Sequence, residues 1–511
     1  MSNKKQFAIN FIAQILFNIV NLGISFFLVP KIVESINASA YGFFSLSNDF
    51  INYAALITVA LNSLAGRYIT ISLHKKTFED ANKYFNSVLF ANIFISIITS
   101  FIGIIFIFFI EDILNIPIEI VNDVKILFSL VIMNFIINVI FSTFSVSTFA
   151  TNKLYLNSIL NIISQIIRCT LLIFAYTLLE PKVWYLGSVA LLVTIIISLG
   201  NLYYTKKLIP ELKINYKFVK IKYIIELTKA GIWNTVTRFS AIINNGLDLL
   251  IANLLIGANA MGILALPKSV HSIILGLFSS LGGIFAPKIT FDFAKNNNDG
   301  IINQINFSFK FLGVFSNTVL VTFMVLGIYF FKLWVPTQDA ELLYWIATIS
   351  CMALIIGLPM EPFYGVHTAL NKIKVPAIIS IIFSITILIL EFIGLILVKD
   401  TNIRLILISS TSSFVGLFRI LFFLPIYTSI ILKIKKTYFY KLIIKNTMAF
   451  IFSLIIGLFI KNLFVINTWI TFLIACSVIA IITMLITINI NFNNYEKQEF
   501  IDIFKRKLLR K

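Results

Sequence analysis

The chain is poor in the residues that soluble catalysts and metal sites rely on. Its 511 residues include 3 cysteines and 3 histidines. Cys169, Cys351 and Cys476 all fall in apolar runs with no C-x-x-C spacing, which argues against a disulfide framework or a thiolate metal site. His74, His271 and His367 are too scattered for a ligand set. No Gly-Lys-Ser/Thr loop is present, so ATP is not expected to be used directly. Charge is also scarce. Charged residues make up 12% of the chain against 59% hydrophobic, and the mean hydropathy is +0.96. A soluble domain of this length would not look like this. Apolar runs of about 20 residues read as bilayer spans.

Fourteen such spans are expected: 8–30, 42–66, 85–110, 125–149, 155–178, 184–204, 229–254, 262–287, 304–332, 342–366, 375–398, 404–430, 443–463 and 468–490. Connections on one side are poor in cations and often acidic, with Glu111, Asp112, Glu119 and Asp123 in one and Asp339 and Glu341 in another. The opposite side carries Lys4, Lys5, Lys75, Lys76, a lysine-rich loop from Lys206 to Lys222, Lys372, Lys374, Lys433, Lys435 and Lys436. The cation rule places that side, and both termini, in the cytoplasm. The net charge of +19 is then a matter of topology and gives no reason to expect a nucleic-acid partner.

The chain repeats itself. Ile36 to Leu46 reads INASAYGFFSL, and Ile256 to Leu266 reads IGANAMGILAL. At this offset of 220, 8 of the 35 positions from 36 to 70 are identical, among them Gly42/Gly262. At offset 219, Ala150, Asn152 and Lys153 match Ala369, Asn371 and Lys372. A duplicated membrane unit suggests a transporter with its path between the copies. The fold expected is an all-α integral membrane protein with 14 transmembrane helices, arranged as two parallel-repeat six-helix lobes plus two C-terminal helices. The lobes are 1–204 and 229–430, joined by a cytoplasmic linker, 205–228. Helices 13 and 14 occupy 431–490, and a basic amphipathic tail, 491–511, reads as a helix on the anionic inner leaflet. Ala38-Ser39-Ala40 resembles a signal-peptidase site, but its repeat partner Ala258-Asn259-Ala260 lies in mid-chain, so a tight turn between spans is expected instead.

Polar residues inside spans point to function. At 100° per residue, Asn10, Gln14, Asn18, Asn21 and Ser25 cover about an 80° arc of the first span. Asn157, Asn161, Ser164 and Arg168 form a second stripe, and Asn234, Arg238, Asn245 and Asp248 a third. Amides facing lipid would go unpaired. Each stripe therefore faces other helices, as hydrogen-bonding glue, or water in a cleft; the repeat relation of the first and seventh spans favours a cleft. An ionisable group at mid-bilayer costs roughly 2.5–3.5 kcal/mol on insertion scales and marks a functional candidate. Arg168, Arg238 and Lys268 are the leading cations, with Arg67 and Arg419 beside them. Asp49, Asp248, Glu361 and Glu391 are candidates for coupling to H⁺ or Na⁺. Guanidinium forks suit phosphate oxygens, so the cations suggest an anionic substrate.

On these residues the chain resembles a known family. The two-lobe, 14-span plan, Asn37-Ala38-Ser39-Ala40-Tyr41-Gly42, Arg67-Tyr68 and the Ala-x-Asn-Lys after spans 4 and 10 look like the polysaccharide-transporter branch of the multidrug/oligosaccharidyl-lipid/polysaccharide superfamily. The resemblance covers essentially the whole chain. It implies a V-shaped pair of six-helix bundles in the bacterial cytoplasmic membrane. It implies a flippase that carries an undecaprenyl-pyrophosphate-linked oligosaccharide, an O-antigen or capsule repeat unit, from the inner to the outer leaflet by alternating access. Polysaccharide polymerase and chain-length machinery are the implied partners, alongside membrane lipids. A cationic cavity is also implied, and Arg168, Arg238 and Lys268 fit it on physical grounds.

Two other functions compete with this one. A cation-coupled drug or metabolite exporter of the same fold would favour acids, and Asp49, Asp248 and Glu391 keep it open. A membrane polymerase or ligase needs a large outside loop, and none here exceeds about 15 residues, so no enzyme is expected. No cofactor is expected either, and a monomer already supplies both lobes.

Overall fold

The computed structural model describes residues 3–295, 297–493 and 496, and among these it is helical throughout, with no strand. The main elements are α1 (Asn3–His74), α2 (Phe78–Phe108), α3 (Val121–Ser142), α4 (Leu154–Leu178), α5 (Trp184–Leu208), α6 (Ile221–Asn245), α7 (Asp248–Leu255), α8 (Ala258–Gly283), α9 (Ala286–Ala294), α10 (Asn298–Trp334), α11 (Ala340–Cys351), α12 (Glu361–Ala369), α13 (Lys374–Leu397), α14 (Thr401–Phe418), α15 (Leu424–Ile431), α16 (Tyr440–Lys461) and α17 (Trp469–Asn491). Helices that are apolar on nearly every face satisfy their own backbone and shed water on all sides, as a bilayer requires. Among the described residues, eleven helices are long and apolar enough to cross a membrane, or twelve if the bent pair Ala340–Cys351 and Leu354–Ala369 is one span. Spans 1 and 2 are two helices that meet at a kink within α1, and span 7 is divided between α6 and α7. Asn234, Arg238, Asn244 and Asn245 make α6 too polar to be counted among the eleven.

The turn expected at Ala38-Ser39-Ala40 is shorter than that. Only Asn37 leaves helical geometry, at φ 65°, ψ 169°, and 38–40 are already helical. Its side-chain oxygen accepts from the Ala40 amide at 3.0 Å, a helix N-cap in the middle of a long element. The repeat-matched position, Gly257, also has positive φ, 138°. The second repeat motif behaves the same way. Asn152 (φ 55°) and Asn371 (φ 54°) both adopt the left-handed conformation. Lys153 N bonds Thr148 O and Lys372 N bonds His367 O, each at 2.8 Å, so the same C-terminal cap closes both helices. Asparagine and glycine are the residues that enter this region most readily, which suits asparagine to both positions.

By contacts the chain divides into two compact units, Met1–Ala265 and Leu266–Lys511. In the first, α1 is the spine and packs on α2, α3, α4 and α6, while α3 packs on α5. Its core gathers Ile69, Phe85, Val88 and Leu227, all fully buried. The segment that follows α5 is strapped to α2 by two buried asparagines one turn apart. Asn82 donates to Glu211 O and accepts from Lys213 N; Asn86 donates to Lys213 O and accepts from Asn215 N, all at 2.8–2.9 Å. The pair reads alternate residues of an extended chain as a neighbouring β-strand would. In the second unit α10 is central and packs on α11, α16 and α17. Phe309, Phe363 and Phe439 anchor its core.

Of the expected amphipathic tail, 491–511, the described residues are 491–493 and Glu496. Lys310 of α10 donates to its carboxylate at 2.5 Å, and the Asn493 amide at 2.8 Å. Burial alone would raise the Glu496 pKa, but these bonds and the nearby Lys445 outweigh it and hold the group below the usual carboxylate range. A depressed carboxylate stabilises the fold above its unfolded value, about 4.3, and loses that contribution as pH falls through the folded value. Glu496→Gln is therefore expected to lower the thermal midpoint at pH 7, with the deficit shrinking as the pH is lowered toward ~3. An equal deficit at both pH values would rule out the bridge as the cause.

Candidate functional site

In the first unit the polar side chains converge where α6 crosses the second half of α1. The crossing is close because Gly231 has no side chain: a Cβ there would stand 2.0 Å from the Ala60 carbonyl oxygen. Residues 234 and 238 share a face with 231 by helical spacing. Asn234 Nδ2 donates to Ser63 Oγ at 3.1 Å, and Arg238 Nη2 donates to Asn52 Oδ1 at 2.6 Å. Arg238 is exposed on this seam. At the C-terminal end of α6, the Tyr53 hydroxyl donates to the Gly246 carbonyl. Asp49 and Asp248 both lie within electrostatic reach of Tyr53. Two acids from different repeats thus meet at one phenol. Tyr53 itself was missed in the sequence; its spacing one turn after Asp49 was the available signal.

Arg168 is placed elsewhere. It is half-buried on α4 beside Tyr41, and its Nε is buried without a hydrogen-bond partner. A desolvated N–H donor without an acceptor is costly, and an oxyanion would relieve it. Tyr41 and Asn52 are eleven residues apart on α1, roughly 16 Å along a straight helix. The structure therefore does not bring Arg168 and Arg238 to one point; it stations them at two levels of the same unit.

Much of the first stripe joins helices. Asn10 donates to Asn152 O and accepts from Tyr155 N, both at 3.0 Å, and Ser158 donates to Gln14 Oε1 at 3.2 Å. These bonds pin the start of α1 to the start of α4. Asn18 and Asn21 are half-buried farther along α1. Asn161 donates to the Asn157 carbonyl of its own helix at 2.8 Å. Arg67 is exposed near the end of α1. The side chain of Asn245 lies outside the described residues.

In the second unit the polar centre is built on broken helices. α11 and the helix that leads into α12 are bent by 41°. The break falls between Cys351 and Leu354, and the second arm carries a 3₁₀ turn at Leu358–Met360, with Pro359 inside it and Pro362 just after. Glu361 opens α12 at this point. It accepts from Ser279 Oγ at 3.2 Å and lies within electrostatic reach of Arg419. Arg419 donates to Ser380 Oγ at 3.0 Å and is the first residue of a π-helical segment, Arg419–Phe423. Such single π turns often mark functional positions. Glu391 is 1% exposed and accepts from Ser412 at 3.0 Å. Lys268 is half-buried on α8, beside His271.

A helical membrane unit with cations and acids at its polar seams is the frame into which the comparisons fit. Residues 7–289, more than half of the chain, match the family described as polysaccharide biosynthesis protein. The chain belongs to that family. An uncharacterized membrane protein of Bacillus subtilis (strain 168), EpsK, is 27% identical over 467 residues, 91% of each chain. Among solved structures, an inward-facing multidrug resistance MATE family transporter of the MOP superfamily aligns with TM-score 0.65 and 12% identity, covering 81% of this chain and 98% of its own. The lipid II flippase MurJ, in an inward closed conformation, aligns with TM-score 0.61 and 18% identity, covering 98% of this chain and 99% of its own. At such identities the likeness is one of fold. This member of the polysaccharide biosynthesis family is thus a multi-pass membrane protein with the fold of the MOP superfamily.

Proposed function

We propose that the protein translocates an undecaprenyl-pyrophosphate-linked oligosaccharide, an O-antigen or capsule repeat unit, from the inner to the outer leaflet of the bacterial cytoplasmic membrane by alternating access. The observation that carries this reading is Arg238. It is exposed on an intramembrane seam and held by a neutral amide, Asn52. Among the described residues it is in no ion pair. Its charge and remaining donors are left for an anion, and a guanidinium matches phosphate oxygens in pairs. Arg168 offers a second station at another depth. Membership of the polysaccharide biosynthesis family and the near-complete overlap with the lipid II flippase support the same substrate class. The termini are cytoplasmic in this reading, polysaccharide polymerase and chain-length machinery take the product, and a monomer suffices. The Asp49–Tyr53–Asp248 group and the Glu361–Arg419 pair are where a proton or Na⁺ would couple.

One observation favours a second reading. The MATE transporter aligns with the higher TM-score, and a cation-coupled exporter of drugs or metabolites would use the same acids.

Cells lacking the protein separate the two. The flippase reading expects polyprenyl-pyrophosphate oligosaccharide to accumulate on the cytoplasmic face, with loss of one surface polysaccharide. An unchanged lipid pool and surface, in a strain without a second flippase, would transfer the weight to export.

A further inference from the structure

A polar cavity of the second unit is not part of either site above. It has a volume of about 890 Å³ and opens among α9, α10, α16 and the end of α17. Four lysines line it, Lys288, Lys310, Lys441 and Lys445, against two carboxylates, Asp292 and Glu496. Those carboxylates are already engaged, by Lys288 at 3.1 Å and Lys310 at 2.5 Å. Among the described residues, Lys441 and Lys445 are in no ion pair. The excess charge is therefore positive and concentrated on the α16 side.

The walls add a second requirement. Asp292 is 2% exposed and Asn491 is 5% exposed. Asp292 Oδ2, Asn491 Oδ1 and the half-buried Asn306 Oδ1 are buried acceptors with no hydrogen-bond partner. Buried acceptors left without donors are costly, so an occupant must bring hydroxyl or N–H groups as well as negative charge. A bare phosphate meets only the first demand. A cationic ligand meets only the second. All the lining helix ends lie on the lysine-rich side of the chain, where basic pockets between spans meet anionic head groups.

We infer that this cavity binds a phosphate carrying vicinal hydroxyls, as in a phosphoglycerol head group or a soluble polyol phosphate. The phosphate sits between Lys441 and Lys445, and its hydroxyls donate to Asn491 and Asp292. The inference stands apart from the flippase reading, since it assigns a separate site within one unit.

The test uses the purified full chain in nanodiscs of phosphatidylcholine, doped with phosphatidylglycerol, and reads bound lipid by native mass spectrometry. Glycerol 3-phosphate and inorganic phosphate are titrated separately. Two variants accompany the wild type: K441Q/K445Q, which removes the charge, and Asn303→Asp, which adds an opposing charge at the exposed rim and leaves the packing intact. Retention of phosphatidylglycerol over phosphatidylcholine identifies a lipid head group; binding of glycerol 3-phosphate with no lipid preference identifies a soluble ligand. Either result should fall about tenfold or more in each variant, because a hydrogen bond to a charged group is worth about a decade in affinity. No preference for either probe overturns the inference. So does binding that both variants leave unchanged, or inorganic phosphate binding as tightly as glycerol 3-phosphate.

Discussion

Arg238→Ala is expected to slow translocation of the lipid-linked oligosaccharide at least about tenfold at unchanged protein level, and Arg238→Lys to fall between alanine and the wild type. The magnitude follows from the hydrogen bonds a guanidinium gives an oxyanion, about 1.5–3 kcal/mol each, where 1.4 kcal/mol is a decade. Lysine keeps the charge but loses the planar fork, so it restores attraction without the paired geometry. The structural cost is small, since among the described residues the side chain bonds only the Asn52 amide on an exposed seam, and an asparagine freed there meets water. Arg168→Ala should also slow transport. The partners of the two arginines are far enough apart along α1 that their effects should add on a logarithmic scale, as distant sites do. A wild-type rate in the Arg238→Ala protein would remove it from the substrate path. A double variant no slower than either single one would mean that the two act as one site.

Gly262→Ala is expected to be among the most damaging single-methyl changes in the chain. The added Cβ would stand 2.3 Å from the Ala38 carbonyl oxygen, 2.5 Å from its carbon and 2.7 Å from Ser39 N. All three are backbone atoms that no rotamer change can move. Overpacking of this kind typically costs about 1–3 kcal/mol, and here the obstacle sits beside the Asn37 cap that sets the direction of α1. Gly42→Ala meets Gly262 at 2.9 Å and should be milder. Gly276 lies on the same helix α8 with nothing within 4 Å of its Cβ, so Gly276→Ala is the matched control and should behave as wild type. The thermal midpoint of the detergent-solubilised protein gives the answer. A Gly262→Ala protein as stable as Gly276→Ala would show that the backbone moves aside freely.

What could be read in the sequence was what depends on local chemistry. The left-handed caps at Asn152 and Asn371 showed as a repeat because few residues tolerate those backbone angles, whereas the breaks at Asn37 and Gly257 use different residues and were betrayed only by the matches that follow them, Ala38/Ala258, Ala40/Ala260 and Gly42/Gly262. Helix character showed because apolarity on every face leaves no other structure in a bilayer. Arc counting placed Asn10 and Gln14 on one face, but not that the face is a seam with α4, since periodicity names no partner. The meeting of Asp49 and Asp248 at Tyr53, and of Glu361 with Arg419, needs helices far apart in sequence to cross at a given height, which no spacing encodes. The lysine cavity is the extreme case. Its walls come from four helices between residues 288 and 496, and in sequence its cations look like ordinary loop charge.

Gly42 and Gly262 are counterparts in the repeat, and they touch. The contact is not symmetric: a Cβ on Gly42 would meet the backbone of Gly262, whereas one on Gly262 would meet the backbone of Ala38 and Ser39. The two copies of the motif therefore come to backbone distance here, offset by about one helical turn, and neither glycine can gain an atom unless the opposite backbone retreats.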